Sequence, residues 1–453
     1  MYELESSREN IEKTLISDVL GRNGSIFNFL KLIYSINSKS TISIDGDWGT
    51  GKTFFVKQLE LVINTLNKED SEISNDTELK KIICEFRRKL EELNIKTEGI
   101  TKAIYYNACE YDYFDDPIIT IIADIINKNN NININDQIVK ESIGSKLDKL
   151  ISSFKFGISF QGRDGNTFGM DFQKTANQDK KKILDKIIED KEIETIFNQL
   201  LEELLVEQSN RLVIFIDELD RCKPDFAVKL LERIKYFFND ERFIFVFSTN
   251  INQLQYTIEK YYGNNFNGSY YLQKFFDYQL ELPEVQLQKY IDYEIGLMPK
   301  ESSYYMDKAI REVLAYKKFN LRDSNKYFEL LKLKYNKVKE ENTEECGYFF
   351  LCILYPVLLA LKIKDKVEYD KIKSGEGKDK FLLLLLNCKA IIKFIEEIIN
   401  KEISKGEINQ IYEFMFIDIE KTSINIGENF FISRNIVNKM KDLLSYLGEK
   451  VIL

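Results

Sequence analysis

Residues 46–53 read Gly46-Asp47-Trp48-Gly49-Thr50-Gly51-Lys52-Thr53, and the apolar-rich stretch Thr41-Ile42-Ser43-Ile44 lies just before them. A short strand, a glycine-rich loop and a helix beginning near Lys52 form the context in which the pattern G-x-x-x-x-G-K-[ST] binds phosphate. The glycines let the backbone curl so that several N–H groups face one anion, and the helix dipole adds positive potential. This stretch therefore predicts a phosphate-binding loop after a buried strand.

The residues of this loop have distinct expected roles. The backbone of residues 46–53 would cradle nucleotide phosphates, Lys52 would reach the outer phosphates as a point charge, and the Thr53 hydroxyl would bind Mg²⁺. Arg22 closes a short turn, residues 18–22, that precedes the strand. Such a turn either packs against the nucleotide base, which makes Arg22 a nucleotide-binding residue, or simply joins two helices. The sequence leaves both alternatives open.

A second buried strand ends in two acidic residues. Residues 212–216 are all apolar, and Asp217 and Glu218 follow them directly. A continuous apolar run is typical of a central strand in a parallel sheet, whose carboxyl end is where ligands bind. We expect Asp217 to hold Mg²⁺ and Glu218 to accept a proton from an attacking water. Hydrolysis is then the expected reaction.

Three further polar residues have two interpretations each. Asn250 follows the strand at 243–247 and either orients the water or caps the next helix. Arg221 either pairs with Asp220 or reaches the γ-phosphate of a neighbouring subunit as an arginine finger. Arg322 lies in a helical segment after the core. It either contacts phosphate across the interface between the core and the helical domain or has no such contact.

The apolar patterns indicate an α/β protein with a mostly parallel sheet. Further strands are predicted at 102–106, 243–247 and 278–282. We assign residues 1–40 to a helical lead-in, 41–285 to the nucleotide-binding core and 286–453 to an all-helical C-terminal domain. The core carries insertions at about 67–100 and 127–210. Alternating aromatic residues around Gly162-Arg163-Asp164-Gly165 predict a β-hairpin in the second insertion.

Composition excludes several classes of chemistry. The chain of 453 residues has no histidine, so Ser-His-Asp catalysis and histidine metal sites are ruled out. Its six cysteines form no C-x-x-C pair, which is typical of reduced thiols in a cytoplasmic protein. The net charge of −9 argues against whole-surface attraction to nucleic acid, although a local basic patch is compatible with it. The longest apolar runs are too short to span a membrane.

Several of these segments together resemble the KAP family of P-loop NTPases. The resemblance rests on the glycine loop with its tryptophan, on Asn107-Ala108-Cys109-Glu110-Tyr111 and on Ile216-Asp217-Glu218-Leu219-Asp220-Arg221-Cys222. It also rests on Tyr271-Leu272-Gln273-Lys274-Phe275-Phe276, on Leu280-Glu281-Leu282-Pro283 and on Asn320-Leu321-Arg322, and it covers roughly residues 15–330. Cys109 stands where the family commonly has tryptophan, and Leu321 stands where it commonly has proline.

The resemblance implies an ATPase of the additional-strand P-loop class, in which Asp217 binds Mg²⁺, Glu218 is the catalytic acidic residue and Arg322 lies near the phosphates. Relatives include animal membrane scaffolds and bacterial proteins that exclude phages. Many members carry membrane spans in the core insertions, whereas residues 127–210 are too polar to span. We therefore expect a soluble, Mg²⁺-dependent ATPase that switches conformation or homo-oligomeric assembly, with phage defence as its setting by family analogy. The alternative is a nucleotide-binding scaffold with little turnover.

Overall fold

A computed structural model describes residues 6–66, 77–95, 101–114, 116–129, 211–237, 240–263, 265–298, 304–339, 349–427 and 429–445. The strands are β1 (Ser40–Asp45), β2 (Thr101–Asn107), β3 (Arg211–Asp217), β4 (Phe243–Thr249), β5 (Tyr278–Glu281), β6 (Ser423–Ile426) and β7 (Phe430–Ser433). The helices of the lead-in and core are α1 (Arg8–Ser17), α2 (Asn23–Ser35), α3 (Lys52–Leu66), α4 (Thr77–Glu92), α5 (Pro117–Asn129), α6 (Pro224–Phe237), α7 (Ile251–Tyr262) and α8 (Gly268–Phe275). Those that follow are α9 (Leu287–Gly296), α10 (Tyr304–Tyr316), α11 (Leu321–Lys339), α12 (Tyr355–Lys364), α13 (Lys366–Lys373), α14 (Lys378–Asn387), α15 (Lys389–Ile399), α16 (Lys405–Phe416) and α17 (Arg434–Ser445).

The centre of the fold is a five-stranded parallel sheet in the order β2-β3-β4-β1-β5. Strand β4 therefore lies between β1, which leads into the glycine loop, and β3, which ends in the acidic pair. The register places Asn107 opposite Asp217, and Asp45 opposite Thr249. The carboxyl ends of the strands consequently meet at one edge of the sheet, where ligands bind in open α/β folds.

The sheet is buried on both faces, which explains its nearly continuous apolar strands. Alternate residues of β4 point to opposite sides: Phe243, Phe245 and Phe247 pack with α5 to α8, whereas Ile244 and Val246 pack with α2, α3 and α4. All five side chains are completely buried. The predicted α/β fold with a parallel, additional-strand sheet is confirmed.

The helical lead-in packs directly against the sheet. Leu15 of α1 and Ile26 and Leu30 of α2 belong to the same buried cluster as Ile42 of β1. The lead-in thus buries one face of the core, because an amphipathic helix has to cover its apolar stripe. The predicted divisions at residues 40 and 285 remain predictions.

The C-terminal region is mostly helical, and its core continues into the core of the sheet domain. The cluster formed by α9 to α17 also contains Phe54 of α3 together with Val19 and Leu20 of the turn before α2. Because Phe54 lies two residues after Lys52, the helical region rests directly on the helix that begins at the glycine loop. No helix within the described residues is long and apolar enough to cross a lipid bilayer.

One element corrects the all-helical description of this region. Strands β6 and β7 form an antiparallel hairpin in which Ser423 lies opposite Ser433. Each strand has only four residues, which is too short for a period-two apolar pattern to stand out from neighbouring helical segments. In the first predicted insertion the structure has α4. The β-hairpin predicted around residues 162–165 lies outside the described residues.

Candidate functional site

The glycine loop connects β1 to α3 in a conformation that requires glycine at two positions. Gly49 has φ +82° and Gly51 has φ +88°, both in the left-handed region. A β-carbon at Gly49 would lie 3.2 Å from Cβ of Arg322, and one at Gly51 would lie 3.1 Å from Cδ2 of Leu321. The backbone of the loop therefore curls as a phosphate cradle requires, and α11 closes over it.

Lys52 is the first residue of α3, and its side chain folds back over the loop. Its Nζ donates to the carbonyl oxygens of Gly46 at 2.5 Å and Asp47 at 3.2 Å. Burial lowers the pKa of Lys52, while the nearby carboxylates of Asp220 and Asp217 act in the opposite direction. The ammonium group thus stands at the mouth of the cradle, within reach of an anion bound by the loop.

Thr53 and Asp217 meet across the sheet edge. The Thr53 hydroxyl donates to Oδ2 of Asp217 at 2.6 Å, and the Tyr105 hydroxyl donates to the same oxygen at 3.0 Å. Asp217 is 1% exposed and its Oδ1 accepts from the backbone N–H of Glu218 at 3.0 Å, so three hydrogen bonds fix its carboxylate inside the fold. A hydroxyl and a carboxylate are the oxygen ligands that Mg²⁺ prefers in nucleotide sites, so this pair fits the ion that the sequence predicts.

Glu218 follows Asp217 with an unusual backbone conformation. Its φ of 61° and ψ of 23° lie in the left-handed region, which costs free energy for a residue with a side chain. Burial raises the pKa of Glu218, the charge of Arg221 opposes this, and Asp217 adds to the rise. The turn places the Glu218 carboxylate in the cleft, next to Thr53 and Asp217.

Arg221 pairs with Glu218 and not with Asp220. Its NH1 lies 2.7 Å from Oε1 of Glu218. The two oxygens of Asp220 accept other bonds, one from Nε1 of Trp48 at 2.6 Å and one from the Thr249 hydroxyl at 3.0 Å. Arg221 therefore has an internal carboxylate partner, but this partner is Glu218 and not the expected Asp220.

Asn250 caps a helix at the same edge of the sheet. Its Oδ1 accepts from the backbone N–H of Gln253 at 3.1 Å, so it is the N-cap of α7. Its amide also donates to Oδ1 of Asp47 in the glycine loop at 3.2 Å. The structure thus has the helix cap, the second bond keeps the side chain beside the loop, and the role of Asn250 in orienting water stays a prediction.

Arg322 and Arg22 approach the loop from opposite sides. Arg322 is exposed, lies beside Gly49 and lines the cleft together with Asn325 and Glu329 of α11. Arg22 is buried behind the loop, where its guanidinium donates to the carbonyl oxygens of Thr50 at 3.0 Å and Gly51 at 3.3 Å. Of these two arginines, only Arg322 lines the cleft.

One cleft of about 490 Å³ lies at the carboxyl edge of the sheet, and of the predicted site residues its lining includes Lys52, Thr53, Asp217, Glu218, Arg221 and Arg322, but not Arg22 or Asn250. The glycine loop, the acidic pair and the start of α11 form its walls, and the volume is in the usual range for small-ligand sites. The sequence analysis missed Tyr105, Asn325 and Glu329. No motif marks them, since Tyr105 reads as an ordinary strand residue and the other two as ordinary residues of a polar helix.

A phosphate loop after the first strand, an acidic pair after a buried strand and a further strand between them define a P-loop NTPase. The model of the KAP family P-loop domain matches residues 22–338, which is more than half of the chain. The chain therefore belongs to the KAP family of P-loop NTPases.

Other relatives are distant. An uncharacterized protein of Methanocaldococcus jannaschii is 32% identical over 89 residues, which are 20% of this chain and 44% of that protein. The match thus spans less than half of the length of this relative. Among solved structures, the Aeropyrum pernix ORC2 protein in its ADPNP–ADP complexes has a TM-score of 0.37 at 13% identity, covering 95% of this chain and 85% of its own. The Aeropyrum pernix ORC1 protein in complex with DNA has a TM-score of 0.36 at 13% identity, with coverages of 94% and 82%.

Proposed function

We propose that the protein is a Mg²⁺-dependent ATP hydrolase whose nucleotide state switches its conformation or assembly. The observation that carries this proposal is the convergence of Lys52, Thr53, Asp217 and Glu218 on one cleft. These four residues come from two strand ends that are more than 160 positions apart in the sequence. They supply the three parts that phosphoryl transfer to water needs: a phosphate cradle, a metal site and a base.

Thr53 and Asp217 would hold the Mg²⁺ ion. When bound there, the ion would supply positive charge against the negative charge that develops during phosphoryl transfer. The Tyr105 hydroxyl bonds to the same oxygen of Asp217 and so keeps that carboxylate oriented. Carboxylate orientation by a neighbouring donor is a usual way of tuning such a site.

Glu218 would take the proton of the attacking water. A base works best when its pKa lies near the working pH, and burial moves the pKa of this carboxyl in that direction. The side chain is also 23% exposed and lines the cleft, so water reaches it there. Glutamate at this place favours hydrolysis over transfer to a small-molecule acceptor.

The ion pair between Arg221 and Glu218 supports a second candidate function, a nucleotide-binding scaffold with little turnover. A base that is held at 2.7 Å by a guanidinium is a poorer proton acceptor, because the positive charge stabilises its ionised form. In the hydrolase, this pair has to open or loosen when the nucleotide is bound. In the scaffold, it stays closed.

Steady-state phosphate release separates the two candidates. The purified protein should release phosphate from ATP in the presence of Mg²⁺ and not in the presence of EDTA, with GTP as the competing substrate and with DNA or RNA added in parallel. Tight ATP binding without phosphate release in every condition would favour the scaffold. Absence of both binding and release would rule out the site.

The pH dependence of the hydrolysis rate should follow the ionisation of the Glu218 carboxyl group. Because the base must be deprotonated, the rate should be lost as the pH falls through a pKa above the ordinary glutamate value of about 4.3. Arg221→Met removes the charge that holds this pKa down, so the acidic limb should move to higher pH. Identical acidic limbs for the two proteins would mean that Arg221 does not act on Glu218.

Arg221 also carries the proposal of a homo-oligomer. Its side chain is 39% exposed, so it can leave Glu218 for the γ-phosphate of a neighbouring subunit. In that case Arg221→Ala should bind nucleotide but lose turnover by about 10³-fold, and mixing it with Glu218→Gln should restore part of the activity. Light scattering that finds only monomer with ATP bound would contradict this assembly.

The cellular role is proposed on family analogy alone. We place the protein in the cytoplasm as an ATPase switch in phage defence. Cells expressing the protein should reduce the plating efficiency of a susceptible phage, and Lys52→Ala should abolish this protection. Equal protection by the variant would separate the defence role from nucleotide binding.

A further inference from the structure

Arg22 occupies a position that the proposed chemistry does not use directly. It is 2% exposed and ends the turn 18–22, which is wedged between the glycine loop and the segment after β5. Gly21 in this turn has φ +66°, and a β-carbon there would lie 2.4 Å from the side chain of Gln286. The backbone N–H of Gln286 also donates to the carbonyl of Leu20 at 3.1 Å. The turn is therefore fixed on both sides, and it holds Arg22 in place.

The guanidinium of Arg22 binds the outer side of the phosphate loop. It donates to the carbonyl oxygens of Thr50 and Gly51. In a planar trans peptide, the C=O and the N–H of one unit point in opposite directions. The two carbonyls that Arg22 binds belong to the peptide units that present the N–H groups of Gly51 and Lys52. Those N–H groups therefore face away from Arg22, toward the space where the loop would bind phosphate.

The charge of Arg22 has no carboxylate partner within the described residues. Its contacts are the two carbonyls and the ring of Phe55, 5.8 Å from the guanidinium carbon, and its Nε has no hydrogen-bond partner. Burial lowers the pKa of Arg22 to about 10, so the side chain stays protonated at neutral pH. A buried cation without a counterion is costly, and an anion bound on the other side of the loop would reduce that cost.

We infer that Arg22 is a positioning residue for the phosphate cradle, which fixes two peptide units from behind and adds positive potential to their N–H groups. Hydrogen bonds in a chain polarise one another, so a cation on the carbonyl strengthens the N–H on the far side as a donor. This inference rests on the proposed nucleotide binding and differs from the expectation that Arg22 contacts the base. If the inference holds, Arg22 affects the binding of the phosphate groups and does not affect the binding of the base.

Binding of inorganic tripolyphosphate and of ATP tests this inference. Trp48 is the only tryptophan of the chain and lies inside the loop, so its fluorescence reports both ligands. Arg22→Gln keeps hydrogen-bond donors and removes the charge. It should weaken the binding of ATP and of tripolyphosphate by the same factor, about five- to tenfold. Arg22→Lys keeps the charge and should lose less affinity for both ligands than Arg22→Gln does.

A matched control is Arg211→Gln. Arg211 also donates to a backbone carbonyl, that of Ile33 at 3.0 Å, but at the opposite end of the sheet. The Arg211→Gln variant should bind ATP and tripolyphosphate with the affinities of the unmodified protein. The melting temperature of each ligand-free variant shows whether that variant folds. If Arg22→Gln does not fold, the comparison is made with Arg22→Lys.

Three outcomes would overturn the inference. Loss of ATP affinity alone, with tripolyphosphate unaffected, would place Arg22 at the base. Unchanged affinity for both ligands would give it no role in binding. A large drop in the melting temperature of both ligand-free variants, with affinities of the folded fraction unchanged, would make it purely structural. If the unmodified protein binds neither ligand, the proposed function itself fails; if Lys52→Ala loses both ligands while Arg22→Gln keeps them, only this inference fails.

Discussion

Replacing Glu218 with glutamine should slow ATP hydrolysis about a hundredfold or more and leave the binding of Mg-ATP unchanged. Glutamine has the size and polarity of glutamate but cannot take a proton from water. It can still accept a hydrogen bond from Arg221, whose NH1 lies 2.7 Å from the carboxylate. The left-handed backbone at this position costs a similar free energy for both residues, so the fold should be retained. Phosphate release at saturating ATP measures the effect.

A neighbouring carboxylate supplies the control for this variant. Glu110 follows β2 at the same edge of the sheet and accepts a hydrogen bond from Asn107 at 2.9 Å, but it does not line the cleft. Glu110→Gln removes one negative charge near Glu218 and should hydrolyse ATP at a nearly unchanged rate. Equal losses in the two variants would indicate a general effect of charge. An unmodified rate in Glu218→Gln would show that another group is the base.

Replacing Lys52 with alanine should weaken ATP binding about 10- to 100-fold, because a hydrogen bond to a charged group is worth about 1.5–3 kcal/mol. Lys52 supplies the only cationic side chain within the glycine loop itself. Its ammonium group already bonds to the carbonyls of Gly46 and Asp47 at the mouth of the cradle. Titration with a fluorescent ATP analogue measures the loss.

Lys57 offers a matched control on the same helix. Its Nζ donates to the Ser6 hydroxyl at 2.9 Å and its side chain does not line the cleft. Lys57→Ala removes one positive charge five positions further along α3 and should bind ATP nearly as the unmodified protein does. Unchanged affinity in Lys52→Ala would contradict the assignment of a phosphate-binding loop.

The sheet could be predicted from the sequence because its strands are buried on both faces. Runs such as residues 212–216 are apolar throughout, and the observed strand β3 extends the prediction by a single residue at each end. The additional-strand class was implied by the family resemblance, and the apolar runs themselves did not predict the order of the strands. The hairpin of β6 and β7 could not be predicted, because strands of four residues have no pattern that distinguishes them from short helical segments.

The glycine loop and the acidic pair could also be predicted from the sequence, but the hydrogen-bond and ion-pair partners of their side chains could not. Trp48 and Asp220 are 172 positions apart, and only the folded chain brings the indole within 2.6 Å of the carboxylate. The pairing of Arg221 with Glu218 is likewise seen only in the folded chain. The sequence left open whether the turn that ends in Arg22 packs against the nucleotide or only joins two helices, and the contacts of Arg22 with the loop carbonyls are seen only in the folded chain.

The most direct test of hydrolysis at this cleft is a single-turnover measurement with protein in excess over radiolabelled ATP and Mg²⁺. Bound ATP is quenched at increasing times and separated from ADP, so slow product release does not hide the chemical step. We expect full conversion to ADP by the unmodified protein and conversion about a hundredfold slower by Glu218→Gln, with ATP bound equally by both. Bound ATP that remains intact in the unmodified protein, or that is converted equally fast by both proteins, would contradict the account.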